Sequence, residues 1–255
     1  MTGTLIQTID HGALRELRLN RPPVNALSPE LIVALQESIA RAPGDGARAL
    51  ILSGSPGRFS AGLDVPLLLQ LDRPAMAAMW RDFYALLGSI AKSPVPIACA
   101  IGGHAPAGGT VLALYSDWRV MAEGDFRIGL NEVQVGIPLP PVIMAGIRRL
   151  VGSRRAERLA VSGALVTPQQ ALELGLVDEL TTADATVDRA KEWCSRMLAL
   201  PPEAMAHTRR LARADVAAIF EGNLDEEIQS VIAGWWNTET QATLRALVER
   251  LAKKK

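Results

Sequence analysis

The sequence predicts an α/β fold, because short apolar strands alternate with helical segments along the chain. Three apolar runs have the length of buried strands: "RALILSG" at 48–54, "PIACAI" at 96–101 and "DWRVMAE" at 117–123. Helical periodicity separates the first two runs and dominates after about Leu180. We therefore expect strand–helix units in residues 1–182 and a helical region in residues 183–255.

The first elements are predicted to be a hairpin and a capped helix. Residues 4–20 have the pattern of two strands joined at residues 10–12, where Gly12 permits a positive φ. Ser28 is expected to cap the next helix, with Pro29 at its first position. Apolar side chains recur at helical spacing in this segment, at Leu31, Ile32, Leu35 and Ile39.

Later segments have clear helix boundaries. Residues 74–93 carry a one-sided apolar stripe, which usually marks a core helix: Met76, Met79, Trp80, Phe83 and Leu87. Residues 167–170, Thr-Pro-Gln-Gln, form a capping-box pattern that opens a helix, and Gly175 is expected to end it. The helical region is predicted to break at residues 201–202 and near Gly222.

The composition is that of a folded protein with no broad electrostatic surface. The chain has 255 residues, of which 49% are hydrophobic and 21% charged, and 27 basic residues balance 27 acidic ones. Zero net charge argues against nucleic acid as a partner. Five arginines cluster in sequence and are interpreted as an exposed helix face: Arg148, Arg149, Arg154, Arg155 and Arg158.

Cysteine and histidine usage indicates a reducing compartment and no metal site. Cys99 and Cys194 form no CxxC motif, although a single disulfide between them stays open, and three histidines lack ligand-like spacing. No stretch approaches the roughly 20 apolar residues of a membrane span. The start of the chain, residues 1–4, lacks the features of a signal peptide, so we expect a cytoplasmic protein with a solvated lysine tail at 253–255.

Two turns rich in small residues follow buried strands, at 58–64 ("RFSAGLD") and 102–110 ("GGHAPAGGT"). Backbone N–H groups at such junctions are free to point at one ligand, and glycine lets that ligand approach closely. Taken singly, each turn is explained by packing. Together they could each supply one N–H to a single oxygen, as an oxyanion hole does. Neither contains a dinucleotide fingerprint or a phosphate-binding loop.

Glu132 lies in the mostly apolar stretch "GLNEVQVGIP" at 129–138. From the residues alone it is either an exposed loop acid, paired for example with Arg127, or a working carboxylate. Asp64 and His104 also lie in the two turns. We expect Asp64 to cap a helix, His104 to have a structural role, and Asn131 to orient Glu132 or its turn.

Five stretches, in order, make the chain similar to the crotonase (enoyl-CoA hydratase/isomerase) superfamily. They are "LNRPPVNALSPEL" at 19–31, "GRFSAGLD" at 57–64, "IGGHAPAGGTVLALYSDWRV" at 101–120, "GLNEVQVGIP" at 129–138 and "SGALVTPQQALELGLVDEL" at 162–180. Within it, "FSAGLD", "PAGG" and "GLNE" most resemble the monofunctional mitochondrial-type 3,2-trans-enoyl-CoA isomerases. The resemblance implies a spiral of ββα units, whose helical region from 183 onward caps the spiral and packs on neighbouring subunits of a homotrimer or dimer of trimers.

The resemblance also implies roles for individual residues. The N–H groups of Leu63 and Gly108 would hold the thioester oxygen of an acyl-CoA. Residues 60–63 (Ser60, Ala61, Gly62 and Leu63) would border its adenine and pantetheine, and Arg21 would lie near its phosphates. Coenzyme A is then part of the substrate, and no separate cofactor is expected. The adjacent Trp235 and Trp236 suggest an interface, or alternatively one ring in the core and one at the surface.

The acids distinguish the subclasses of this family. Hydratases use two glutamates, of which one position is Val111 here and the other is Glu132; a third acid site falls at Pro140, with no carboxylate near it in sequence. One acid suffices for moving a double bond, so an isomerase is expected, with Val111, Val133 and Ile137 raising the pKa of Glu132. The alternatives are a hydratase or related crotonase-type enzyme, and a non-catalytic CoA-binding protein.

Overall fold

A computed structural model describes residues 3–253, which contain two sheets and an extended set of helices. Four residues lie outside the described range: Met1, Thr2, Lys254 and Lys255. The expectations for the N-terminus and for the lysine tail partly rest on them. The strands are β1 (Ile6–His11), β2 (Leu14–Leu19), β3 (Ala49–Ser53), β4 (Gly57–Arg58), β5 (Ile97–Ile101), β6 (Gly103–Pro106), β7 (Trp118–Ala122), β8 (Ile128–Gly129) and β9 (Glu179–Thr181).

The helices surround these sheets and account for nearly all of the chain after β9. They are α1 (Pro29–Arg41), α2 (Val65–Leu68), α3 (Arg73–Ala91), α4 (Gly108–Leu114), α5 (Pro141–Val151), α6 (Ser153–Ser162), α7 (Pro168–Leu174), α8 (Thr186–Leu198), α9 (Pro202–Ala212), α10 (Ala214–Ala218), α11 (Asp225–Trp235) and α12 (Thr238–Ala252). A single 3-10 turn, Glu132–Val135, lies between β8 and α5.

The six-stranded sheet has the order β1-β2-β3-β5-β7-β9, and all neighbours after the β1–β2 hairpin are parallel. Each of β3, β5 and β7 is followed by one short strand of a second sheet, β4-β6-β8, and then by helix. The chain therefore repeats a ββα path three times, although no repeat is visible in its sequence. This confirms the predicted spiral of ββα units.

The short strands β4 and β6 correct the expectation that residue 58 and residues 103–106 belong to plain turns. Pairing is possible because Gly103 packs directly on β4: a Cβ at Gly103 would lie 1.9 Å from the Gly57 carbonyl carbon. The first hairpin also differs from expectation. Residues 10 and 11 continue β1, paired with residues 15 and 14, and the turn occupies Gly12 and Ala13 with Gly12 at φ +69°.

The predicted start of α1 and both predicted ends of α7 are confirmed. Ser28 Oγ accepts from Leu31 N–H, Thr167 and Gln170 form the capping box, and Gly175 ends α7 in the left-handed conformation. Helix α3 starts one residue earlier than predicted because Asp72 caps it. The predicted stripes on α1 and α3 are buried.

The division of the chain at residue 182 stays a prediction. Helix α8, from the second part, packs on β3, β5 and β7, and its Ala190, Trp193 and Cys194 form a core layer with those strands. Trp235 is buried, whereas Trp236 is partly exposed beneath Arg73, whose guanidinium carbon lies 4.8 Å from the ring centroid. This matches the alternative of one ring in the core and one at the surface.

The arginine cluster spreads over α5 and α6, and its five side chains are exposed, as predicted. Both cysteines are buried and free, so the disulfide left open by the sequence does not form. Within residues 3–253, no helix combines the length and apolarity that crossing a membrane would require.

Candidate active site

The two glycine-containing turns meet backbone to backbone. A Cβ added to Gly62 would lie 3.0 Å from Gly108 N, and a Cβ on Gly108 would lie 3.3 Å from Leu63 N and 3.1 Å from Gly62 Cα. Side chains at either position would push the turns apart, so glycine is what allows the contact. The structure thus brings together the two segments that the sequence singled out.

Leu63 and Gly108 each carry an N–H group without a protein acceptor in the part of the chain that the structure describes. Leu27 pairs with the first turn on both sides, since its N–H donates to Gly62 and its carbonyl accepts from Asp64, and this pairing leaves the Leu63 N–H unused. Gly108 is the first residue of α4, where N–H groups have no partner within the helix. These are the two free donors that an oxyanion hole needs.

Ala107, just before Gly108, has a strained backbone with φ 49° and ψ −122°. A non-glycine residue in such a region costs on the order of 1–3 kcal/mol and persists only when its neighbours enforce it. Here the Ala107 N–H donates to the Gly129 carbonyl at 2.8 Å. The strain therefore fixes the direction of the following Gly108 N–H.

Thr110 ties α4 to the strand that precedes Glu132. Its buried hydroxyl donates to the Ala105 carbonyl at 2.6 Å and accepts from the Gly129 N–H at 2.8 Å. Gly129 is three residues before Glu132, so one side chain holds the Gly108 segment and the Glu132 segment at a fixed separation. Thr110 could not be selected from the sequence alone, because its role depends on Gly129, which lies 19 positions away.

Asn25 is hydrogen-bonded to the first turn, and it was not selected from the sequence. It has φ 50°, a left-handed conformation that asparagine tolerates, and its buried side chain donates to the Phe59 carbonyl at 3.1 Å. Ser60 Oγ in turn donates to the Asn25 carbonyl at 2.7 Å and accepts from the Gly62 N–H. The signal that could have indicated this role is an asparagine, a residue that tolerates positive φ, shortly before the capped helix α1.

Glu132 opens the 3-10 turn as a half-buried residue, and one oxygen of its carboxyl group is enclosed by the protein. Oε2 has no hydrogen-bond partner within residues 3–253, and the same holds for the neighbouring Asn131 Oδ1. Burial raises the pKa of Glu132 to about 7, and only the backbone N–H of the residue itself opposes this rise. A carboxyl that titrates near neutrality can both accept and return a proton.

The surroundings of Glu132 agree with the sequence in part. Val111 and Ile137 are buried as expected, but Val133 is 40% exposed, since successive side chains of a tight turn point in different directions. Arg127 pairs with Asp125 and with the Phe126 carbonyl. The exposed, arginine-paired alternative for Glu132 is therefore wrong.

Arg21 and Asp64 form a partly buried ion pair at 2.5 Å beside the first turn. Asp64 also accepts from Leu67 N–H and so caps α2, as predicted, while Arg21 donates to the Ala26 carbonyl. The role of Arg21 toward CoA phosphates stays a prediction. His104 accepts from the Arg127 N–H and packs edge-on against Phe126, which agrees with a structural role.

A carboxylate does lie near the Pro140 position in space, although none lies near it in sequence. Glu227 of α11 accepts from Val142 N–H at 3.2 Å and from the Tyr84 hydroxyl at 2.8 Å. The N-cap of α5, Pro140, has no capping side chain, and Glu227 supplies the missing acceptor. One carboxylate oxygen of Glu227 thus accepts from two structural donors, and Glu227 serves as a cap of α5.

Within residues 3–253, no three His, Cys, Asp or Glu side chains are grouped so that they could hold a metal ion.

Comparisons with known proteins show the family of the chain. A family model described as enoyl-CoA hydratase/isomerase matches residues 10–254. The mouse mitochondrial enoyl-CoA delta isomerase 1 is 32% identical over 254 residues, covering 98% of this chain and 88% of the relative. A probable enoyl-CoA hydratase of Mycobacterium avium is 34% identical over 214 residues, covering 82% of this chain and 79% of the relative.

A solved structure shows the same fold over the whole chain. The crystal structure of the human mitochondrial delta3-delta2-enoyl-CoA isomerase superposes with a TM-score of 0.93 at 30% identity, covering 98% of this chain and 99% of that one. The fold is thus that of the crotonases. The chain belongs to the enoyl-CoA hydratase/isomerase family.

Replacing Thr110 by valine is expected to lower the free energy of unfolding by about 1–3 kcal/mol, because the Gly129 N–H loses its buried acceptor. Thr110→Ser keeps the hydroxyl and serves as the control. Urea denaturation of both variants measures the difference. Equal stability of Thr110→Val and the unmodified protein would contradict the proposed link.

Replacing Glu132 by glutamine is expected to change how stability depends on pH. The folded-state pKa of about 7 lies above the unfolded value near 4.3, so the folded form retains a proton that the unfolded chain releases. Stability of the unmodified protein therefore falls as pH rises between these values. Glutamine cannot ionise, so Glu132→Gln should gain roughly 3 kcal/mol relative to the unmodified protein between about pH 4 and pH 8.

The matched control for this measurement is Glu37→Gln, on the exposed face of α1. Denaturation curves at several pH values should show a pH-independent offset for the control. The same flat offset for Glu132→Gln would mean that Glu132 is solvated.

Proposed function

We propose that this protein is a 3,2-enoyl-CoA isomerase, which moves the double bond of an unsaturated fatty acyl-CoA from position 3 to position 2 in fatty-acid β-oxidation. Ionised Glu132 takes a proton from the α carbon of the thioester. The electrons of that C–H bond move onto the thioester oxygen and form a dienolate. Glu132 then returns the proton to the γ carbon, and the double bond is conjugated with the carbonyl.

The Leu63 and Gly108 N–H groups stabilise the dienolate oxygen. Each oxyanion donor is worth on the order of 10²–10³-fold in rate, because it is already oriented toward the charge that develops in the transition state. The geometric support is the close contact of the two turns at Gly62 and Gly108, together with the absence of a protein acceptor for either N–H within residues 3–253.

The observation that carries the proposal is a carboxyl group, that of Glu132, whose Oε2 is buried and has no hydrogen-bond partner within residues 3–253. Hydration would need groups to hold and activate water, and the two further acid positions of the family hold Val111 and Pro140, both buried. Glu227, which lies near Pro140 in space, is bound to Val142 N–H and to the Tyr84 hydroxyl. One carboxyl with a pKa of about 7 fits a proton shuttle between two carbons of the same substrate.

A hydratase is the second candidate, because a relative named as a probable hydratase is about as similar to this chain as the relatives named as isomerases. A non-catalytic CoA-binding protein is the third. Neither would explain the absence of partners around Glu132 as directly, since a hydratase needs a second group for water and a binding protein needs no raised pKa.

Substrate binding follows from the same frame. Residues 60–63 and Arg21 are proposed to border the CoA moiety. A cavity of about 650 Å³, lined in part by Val133, Leu139 and Met144, lies next to the Glu132 turn and is proposed to receive the acyl chain. Assembly into a homotrimer or dimer of trimers and a cytoplasmic location are part of the proposal, although relatives are named as mitochondrial.

The purified protein, incubated with a 3-enoyl-CoA, is expected to form the conjugated 2-enoyl-CoA, monitored by ultraviolet absorbance. Glu132→Gln should lower kcat/KM by at least about 10²-fold, because it removes the only proposed proton carrier. For the unmodified enzyme, kcat/KM should rise with pH up to about 7, since Glu132 must be ionised to take the first proton. Glu37→Gln is the matched control and should behave as the unmodified enzyme.

The alternatives give different results in the same assay. Rapid loss of conjugation from 2-enoyl-CoA in water would favour the hydratase. Binding of acyl-CoA without turnover would favour the non-catalytic protein. Undiminished isomerisation by Glu132→Gln would refute the shuttle.

A further inference from the structure

The last helix of the described chain, α12, lies against the turn that carries Glu132. It contacts both this turn and α2, which follows Leu63. The end of α11 approaches the same loop, since a Cβ on Gly234 would lie 3.6 Å from Pro138 Cγ. Helices α11 and α12 therefore pack against the segments of the candidate active site that carry Glu132 and follow Leu63.

One hydrogen bond joins α12 to the end of the Glu132 turn. The buried Thr240 hydroxyl donates to the Gly136 carbonyl at 2.7 Å. Gly136 ends the turn with φ +78°, and a Cβ there would lie only 3.2 Å from Thr240 Cα. Glycine thus permits the close approach that the hydrogen bond needs. Leu244, one turn further along α12, is fully buried and holds the helix in place.

This bond matters because the described residues show no hydrogen bond from another residue to the Glu132 carboxyl group. Its Oε2 has no partner within residues 3–253, so the position of the carboxyl group depends on the backbone of the turn. Thr110 holds the segment before the turn by accepting from the Gly129 N–H. Gln134, in the middle of the turn, donates from its side chain to the Gly163 carbonyl at 2.8 Å. Thr240 holds its end.

We propose that Thr240 is a positioning residue for Glu132: its hydroxyl fixes the end of the turn, sets the direction of the carboxyl group and keeps water from it. The role toward catalysis rests on the proposed isomerase function. The role toward the environment of Glu132 does not, because burial of the carboxyl group is a property of the free protein.

The test compares three variants of the full chain. Thr240→Val keeps the side-chain shape and removes the donor, and Thr240→Ser keeps the donor. Thr243→Val is the matched control, since the Thr243 hydroxyl donates at 2.9 Å to the Glu239 carbonyl of its own helix. Misplacement of a catalytic group by about 1 Å can cost about 10²-fold. Thr240→Val should therefore lose about tenfold to a hundredfold in kcat with little change in KM, while Thr240→Ser and Thr243→Val should stay near the unmodified enzyme.

A second readout needs no substrate. The Glu132 carboxyl carbon, assigned by comparison with Glu132→Gln, is titrated by NMR in each variant. In Thr240→Val, water should reach the carboxyl group and its pKa should fall toward the ordinary value near 4.3, whereas Thr243→Val should leave it unchanged. If Thr240→Val does not fold, as judged by circular dichroism, Thr240→Ala replaces it.

The outcomes separate the two proposals. A fall in both kcat and the Glu132 pKa for Thr240→Val alone supports the positioning role. If the unmodified protein isomerises nothing, the proposed function fails, and the titration still decides the role of Thr240. A wild-type titration in Thr240→Val, or an equal loss in Thr243→Val, overturns the inference.

Discussion

The contact between two glycine backbones is the constraint on which the site depends. Gly62 and Gly108 come so close that a Cβ on either would meet the other turn at 3.3 Å or less. This contact brings together the two segments that carry the free N–H groups of Leu63 and Gly108. The small sheet β4-β6-β8 also depends on a close backbone contact, because Gly103 packs on Gly57 without room for a side chain. The absence of side chains at a few positions thus determines how the ββα units stack.

The second constraint is the enclosed Oε2 of Glu132, which has no hydrogen-bond partner within residues 3–253 and opposes stability. Burying a charge without compensation is costly, so Glu132 takes up a proton more readily and its pKa rises to about 7. The fold tolerates this because strong interactions surround the site, among them the Thr110 bridge and the Arg21–Asp64 pair. Gly129 accepts from the strained Ala107 and precedes Glu132 by three residues. Backbone strain and a raised pKa this close together are typical of functional sites.

Local signals in the sequence were sufficient for the elements, and less so for their connections. The caps at Ser28 and Thr167 and the buried stripe on α3 follow from contacts within a few residues. The strands β4 and β6 were missed, because two to four residues rich in glycine have no strand pattern of their own and pair only when the units stack. Val133 was wrongly expected to be buried, since apolar character does not fix the direction of a side chain in a single turn.

By itself the sequence determined the α/β class, the two glycine-containing turns and Glu132 as the acid to examine, because propensity, capping and motif spacing are local properties. Only the tertiary structure decided that Glu132 Oε2 is enclosed without a partner within residues 3–253, that Glu227 lies near Pro140, and that Thr110, Asn25 and Thr240 hold the site. Each of these depends on residues 19 to 104 positions apart in the chain. Such pairs become neighbours only when the spiral closes and α12 packs over it.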